Sequence, residues 1–132
     1  MNGKLLDTNI IISYIKDEGN LDDVFDEENL YYSSITLGEL LFGCECSQRK
    51  AENAAVYTNF CNELKEIKPD NFVAPCYGKI KSQLKIEGKP IPENDIWIAA
   101  CAMAYGLTLV TADKHFSFIK DVSLDLKASH NQ

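Results

Sequence analysis

Four acidic residues lie at the ends of predicted secondary-structure elements, where carboxylates could bind a metal ion. They are Asp7, Glu39, Asp95 and Asp113. Each has an alternative structural role near a helix N-terminus, where a carboxylate accepts hydrogen bonds from free backbone N–H groups. Glu39 could complete a capping box with Thr36, in which Thr36 caps the helix and Glu39 bonds back to it. Taken singly, each of these residues is better explained as a helix cap than as part of a functional site.

Taken together, the four acids are predicted to converge. Asp7 follows the first predicted strand, Asp113 follows another, and the other two acids begin helices that face the same edge. Open parallel sheets bind ligands where the carboxyl ends of their strands meet. Four carboxylates at that edge would repel one another unless a cation lay among them. All-oxygen ligands favour Mg²⁺ or Mn²⁺, and because phosphate oxygens often complete the Mg²⁺ shell, they also indicate a phosphate-ester substrate.

The elements that would position these acids alternate between strands and helices. We predict strands at 4–6, 30–34, 107–111 and 122–126, an extended piece at 67–69, and helices at 10–15, 22–26, 37–46, 48–64, 75–86 and 94–105. Gly88 and Gly106 stand just past the last two helices, where glycine commonly ends a helix. This order favours an α/β fold: a three-layer α/β/α sandwich with a mostly parallel central sheet.

The composition is that of one ordinary globular domain. The 132 residues are 45% hydrophobic and 25% charged, and we expect one domain over 1–126 with a frayed tail over 127–132. No apolar run approaches the ~18 residues of a membrane span, and the first apolar stretch is too short for a signal peptide. Five cysteines without a CxxC pair are expected to be reduced core residues. We therefore expect a cytoplasmic protein that does not bind membranes.

The formal net charge of −7 comes from one place. Residues 17–28 contain seven acidic residues and neither Lys nor Arg, so the rest of the chain sums to zero. An acidic protein is a poor candidate for binding nucleic acid. Because the acidity is confined to this segment, the net charge does not exclude a phosphate-binding surface elsewhere on the chain.

Four short segments resemble the motifs of the PIN-domain ribonucleases, and within them the VapC-type toxins of prokaryotic toxin–antitoxin pairs. They are LLDTN at 5–9, TLGEL at 36–40, NDIWIAA at 94–100 and LVTADKHF at 109–116. Each motif is weak alone, but the four occur in the family's order and the resemblance covers about residues 4–126. It implies a PIN-like fold and hydrolysis of RNA.

The resemblance also implies roles for particular residues. Asp7, Glu39, Asp95 and Asp113 would bind Mg²⁺ or Mn²⁺, while Asn9, Thr36 and Thr111 would orient them through hydrogen bonds. A cognate antitoxin and a homodimer are the expected protein partners. Two alternatives stay open: a solitary RNA-processing nuclease, and a PIN-like module that binds RNA or protein without catalysis. Two other classes of protein lack their required residues in this sequence. A dehalogenase-type phosphatase needs a second Asp at the position of Asn9, and a phosphotransfer receiver needs paired acids after its first strand.

The basic residues give a weaker signal. Lys81, Lys85 and Lys89 recur every four residues and predict either a solvated helix face or contacts with RNA phosphates. Lys114 is a further candidate RNA contact because it follows Asp113. His115, the next residue, could shuttle a proton, although metal-assisted hydrolysis needs no histidine base. Arg49 is the sole arginine, so an arginine-rich RNA cleft is not predicted.

Overall fold

A computed structural model describes residues 3–26 and 29–128 of the chain. Its centre is a parallel sheet with the strand order β3-β2-β1-β4-β5. The strands are β1 Lys4–Leu6, β2 Leu30–Ser33, β3 Lys65–Ile67, β4 Thr108–Thr111 and β5 Leu124–Leu126. Because β1 pairs with both β2 and β4, the segments that leave these three strands begin side by side at one edge, the carboxyl edge of the sheet.

Helices cover both faces of the sheet. They are α1 Thr8–Ile15, α2 Asp22–Phe25, α3 Ser34–Glu45, α4 Lys50–Asn62, α5 Ala74–Glu87 and α6 Glu93–Tyr105, with a 3₁₀ turn at Lys114–Phe118. None of these helices is long and apolar enough to cross a membrane within the described residues.

Alternate residues of the central strands belong to two separate cores. Leu6 and Val110 pack with residues of α1 to α4, whereas Leu5 and Leu109 pack with residues of α5 and α6. Both faces of the sheet are therefore buried, as is usual for parallel sheets. The predicted three-layer α/β/α sandwich is confirmed.

Helix α3 begins three residues earlier than predicted. The Ser33 hydroxyl accepts a hydrogen bond from the backbone N–H of Ile35 at 3.1 Å and so caps the helix. Strand β2 passes directly into α3 because its last residue is itself a good cap. The predicted capping box of Thr36 and Glu39 is wrong, since both residues lie inside the helix.

The segment expected to fray, 127–132, is held at its start. The Lys127 backbone N–H donates to the Thr111 carbonyl at 2.7 Å, and its ammonium contacts Asp23 at 2.7 Å and Asp125 at 3.4 Å. Residues 129–132 lie outside the described residues.

Candidate active site

An open cleft of about 560 Å³ lies at the carboxyl edge of the sheet, and we call it the acid cleft. Asp7 enters it directly after β1, and Asp113 enters it from the turn after β4. Glu39 reaches it from the second turn of α3, and Asp95 from the first turn of α6. All four acids predicted to converge therefore line one cleft.

Asp7 is the most tightly held of the four carboxylates. One oxygen accepts hydrogen bonds from the Thr111 hydroxyl at 2.7 Å and the Asn9 amide at 3.2 Å. The other accepts from the backbone N–H of Thr8 at 2.8 Å, so Asp7 also caps α1. Asp7 therefore caps α1 and lines the acid cleft at the same time, although the sequence presented a cap and a site residue as alternatives.

Burial makes the charged form of Asp7 unfavourable. Its side chain is only 4% exposed, and this burial raises the pKa of Asp7 to about 6. The Thr111 and Thr8 hydrogen bonds oppose this rise in pKa, and the nearby carboxylates of Asp95 and Glu39 contribute to it. An added cation would favour the ionised carboxylate.

Glu39 is held from two other elements. Its carboxylate accepts a hydrogen bond from the Thr8 hydroxyl at 2.6 Å and another from the Asn94 amide at 3.4 Å. Thr8 donates its backbone N–H to Asp7 as well. The start of α1 therefore fixes the first two acids relative to each other.

His115 bridges the other two acids. Its Nε2 lies 2.7 Å from an Asp95 oxygen and its Nδ1 lies 2.9 Å from an Asp113 oxygen. The Nε2 contact with Asp95 is a hydrogen bond, and an ionised Asp95 carboxylate accepts from this nitrogen. Burial raises the pKa of Asp95, as do the charges of Glu39 and Asp113, while the His115 hydrogen bond lowers it.

The potential ligand atoms of Asp95, Asp113 and His115 all lie within 4.8 Å of one another. Sequence reasoning placed His115 near the site but not within this group. The spacing signals only the contact with Asp113, which caps the 3₁₀ turn by accepting from the His115 backbone N–H at 3.2 Å. That turn brings the ring back towards the acid that caps it.

The three residues expected to orient the acids differ in their surroundings. Thr111 and Asn9 both donate to Asp7, and Asn9 also accepts from the Ala112 backbone N–H at 3.0 Å, which ties α1 to the end of β4. Thr36 is fully buried, and its hydroxyl makes no hydrogen bond within the described residues. Orientation of an acid by Thr36 therefore has no support in the geometry.

The four lysines predicted as RNA contacts do not line the acid cleft. Lys81 and Lys85 line a neighbouring cleft that shares Glu93 with it. The Lys89 ammonium lies 5.3 Å from the centre of the Phe118 ring. Lys114 is exposed in the turn after Asp113.

The donor set fits a hard divalent cation. Carboxylate oxygens from four segments face one cleft, and burial together with the neighbouring carboxylates raises the pKa of Asp7 and of Asp95. Oxygen donors of this kind suit Mg²⁺ or Mn²⁺ better than zinc or copper. The chemistry of this donor set is therefore that of a divalent-cation site.

Comparison with known proteins agrees with this geometry. The PIN domain family matches residues 4–121. The chain belongs to the PIN-domain family. This PIN domain is 39% identical over 110 residues to ribonuclease VapC2 of Haemophilus influenzae, across 81% of this chain and 83% of that protein. It is also 34% identical over 110 residues to the tRNA(fMet)-specific endonuclease VapC of Shigella flexneri, across 81% of this chain and 83% of that protein.

Solved structures give the same result. The structure of DNA-bound VapBC from Salmonella typhimurium contains a chain that superposes on this PIN domain with a TM-score of 0.86. The two chains are 32% identical, with 95% of this chain and 98% of that chain covered. Together with the named relatives, this confirms the prediction of a VapC-like nuclease.

Proposed function

We propose that this protein is a Mg²⁺- or Mn²⁺-dependent endoribonuclease and the toxin of a cytoplasmic toxin–antitoxin pair. Its substrate is single-stranded or structured RNA, in which it hydrolyses phosphodiester bonds. The observation that carries the proposal is the single cleft lined by Asp7, Glu39, Asp95 and Asp113. RNA as substrate is supported by the relatives, which are a ribonuclease and a tRNA(fMet)-specific endonuclease.

Asp7, Glu39, Asp95 and Asp113 would hold the cation. When bound, it supplies a water of lowered pKa and stabilises negative charge on the leaving oxygen of the phosphodiester. Thr8, Asn9 and Thr111 already hold the first two acids by hydrogen bonds. Ligands fixed before binding need little rearrangement, which favours both metal affinity and rate.

An antitoxin would bind along a groove that leaves the acid cleft at Glu39. The groove has a volume of about 470 Å³ and lies between α1, α3 and α4, with Ile15, Leu40 and Val56 among its lining residues. Ile12 and Glu39 line both the groove and the acid cleft. An apolar helix could lie in this groove and place an arginine against the carboxylates.

The nuclease proposal is tested with purified protein and cellular RNA. Cleavage should require Mg²⁺ or Mn²⁺ and stop in EDTA, and sequencing the new ends would identify the target. Calorimetric titration with Mg²⁺ should give binding to the wild type and much weaker binding to Asp7→Asn. If the wild-type protein binds Mg²⁺ but cleaves no RNA, the nuclease proposal is contradicted and the alternative of a non-catalytic PIN-like module is favoured.

The toxin and homodimer proposals need separate experiments. Expression should slow growth, and co-expression with a neighbouring small open reading frame should restore it. Light scattering during size-exclusion chromatography should give a dimer, the commonest symmetric assembly of soluble proteins. A monomer whose toxicity no neighbouring gene relieves would contradict both proposals and favour a solitary RNA-processing nuclease.

A further inference from the structure

A second cleft adjoins the acid cleft, separated from it by Glu93. It has a volume of about 470 Å³ and lies between the end of α5, the segment 88–91 and the start of α6. Lys81 and Lys85 stand on it, and Leu84, Ile91 and Ile96 give it an apolar lining. We call it the lysine cleft. Glu93 is exposed to both clefts, because it lines each of them.

Two hydrogen-bond donors converge on the Glu93 carboxylate. The Lys81 ammonium bonds to one oxygen, and the Tyr77 hydroxyl donates to the other at 2.8 Å. Tyr77 and Lys81 are four residues apart on α5 and therefore share one face of it. The Tyr77 ring stacks on Trp97 with 4.2 Å between ring centres and 17° between planes, which holds its hydroxyl in place.

An ammonium and a phenol hydroxyl aimed at one carboxylate form an anion-binding site. A phosphodiester also presents a negative charge and two acceptor oxygens, so the same donors suit it. The Lys81 and Glu93 side chains are 48% and 53% exposed. Exposed ion pairs contribute little to stability, so a competing anion can replace Glu93 at little cost.

We propose that Lys81 and Tyr77 bind an RNA phosphate next to the scissile one, and that Glu93 occupies their site until RNA displaces it. This inference rests on the proposed function. An RNA strand that runs from the acid cleft to the lysine cleft must pass over Glu93, which separates the two. The phosphate that follows the scissile one would therefore lie near Lys81. The apolar side chains of the lysine cleft would contact the ribose or base of that nucleotide, and Lys85 would lie at the rim of the cleft.

The test measures binding of a short, fluorescein-labelled, single-stranded RNA of mixed sequence by fluorescence anisotropy. All proteins carry Asp7→Asn, which is expected to prevent cleavage, and Mg²⁺ is present. Lys81→Met should weaken binding about fivefold and reduce the slope of log affinity against log salt by about 0.7, the value for one lost phosphate contact on a single strand. Glu93→Gln should tighten binding about threefold, because Lys81 loses its competing anion.

The double variant separates displacement from general repulsion. If Glu93 acts by occupying the site of Lys81 and Tyr77, Glu93→Gln has a much smaller effect once Lys81→Met is present, because only the Tyr77 donor is still blocked. An equal gain in both backgrounds would mean that Glu93 merely repels RNA, and would overturn the proposal. Tyr77→Phe should weaken binding by a smaller factor than Lys81→Met, since it removes a neutral donor.

Matched controls come from the same helix. Lys79→Met removes an exposed α5 lysine that lines neither cleft, and Glu87→Gln breaks the ion pair of Glu87 with the exposed Lys120. Neither should change RNA affinity by more than about 1.5-fold. Equal losses in Lys79→Met and Lys81→Met would overturn the inference while the nuclease proposal stands. If RNA binds as expected but the wild-type protein, which keeps Asp7, does not cleave it, the nuclease proposal alone is contradicted.

Discussion

Two acidic regions of this molecule differ in what surrounds their carboxylates. In the acid cleft, Asp7 is buried and its pKa is raised to about 6. In the acidic segment of residues 17–28, of which 27 and 28 lie outside the described residues, Asp22, Asp23 and Asp26 are exposed to solvent. Asp23 has a lowered pKa because it accepts a hydrogen bond from Lys127. The acidic segment has more acidic residues than the acid cleft, but water and Lys127 compensate its charge.

The difference shows that the number of acids is a poor signal of function. Asp22 and Asp23 lie in the first turn of α2, where the helix dipole favours negative charge. The acids of the cleft come from four distant segments and are held close together by the sheet topology. Uncompensated charge held in place by hydrogen bonds is what a cation-binding site requires.

The largest expected difference between the two regions is in catalysis. Asp7→Asn and Asp95→Asn should each lower kcat/KM for RNA cleavage at least 10²-fold, because each removes a proposed cation ligand. Glu39→Gln should have a similar effect. The measurement is the initial rate of cleavage in Mg²⁺ with each variant at equal concentration.

Substitutions in the acidic segment are the matched control for these rates. Asp22→Asn and Asp26→Asn remove the same charge from exposed positions, so cleavage should change less than about twofold. Wild-type activity in Asp7→Asn would contradict the assignment of the cleft. A 10²-fold loss in Asp22→Asn would show instead that the acidic segment contributes to catalysis.

The second expected difference is the pH dependence of stability in EDTA. The folded pKa of Asp7 is about 6 against 3.8 for the ordinary group, so the folded state binds more protons between these values. The free energy of unfolding should therefore fall as pH rises from about 4 to 6, by about 3 kcal/mol for this group alone. Urea denaturation at several pH values measures this, and Mg²⁺ should restore stability at pH 7.

Asn at position 7 cannot ionise, so Asp7→Asn should lack this part of the decline and be more stable than the wild type at pH 7 in EDTA. Asp23→Asn is the control with the opposite sign. The pKa of Asp23 is lowered, so its small contribution is present at neutral pH and is lost as pH falls through its folded pKa. Equal pH profiles for the wild type and Asp7→Asn would contradict the raised pKa.

A third, smaller effect concerns the start of α3. Ser33→Ala should lower the free energy of unfolding by about 1 kcal/mol, because it removes the cap that accepts from Ile35. Glu39→Gln should change stability by less than about 0.5 kcal/mol, since Gln keeps an oxygen that can accept the Thr8 hydrogen bond. Because Gln would also keep a capping-box hydrogen bond, full cleavage activity in Glu39→Gln would restore the capping interpretation of Glu39.

The fold and the convergence of the acids were predictable because they depend on long-range order along the chain. Alternating strands and helices place successive strand ends at one edge, whatever the local details. The end of α6 was predictable too, since Gly106 follows it with φ = 63°, a conformation that suits glycine.

Local choices between equivalent residues were not predictable. Ser33 and Thr36 are both good caps, and only the end of β2 decides between them. His115 could not be placed between Asp95 and Asp113, because that contact depends on how the 3₁₀ turn meets α6. The role of Glu93 depends on the packing of α5 against α6, which brings Tyr77 and Lys81 to it.

The smallest expected effect lies where the acidic segment contacts the sheet. Lys127 pairs with Asp23 and Asp125, and its side chain is only 20% exposed. Because Asp23 is largely solvated, Lys127→Met should lower the free energy of unfolding only slightly. Salt screens such pairs, so the difference from the wild type should shrink in high salt. Cleavage should be unchanged, since Lys127 does not line the acid cleft. A salt-independent loss of several kcal/mol would instead mean that this charge pair is as poorly solvated as the acids of the cleft, and the contrast between the two regions would fail.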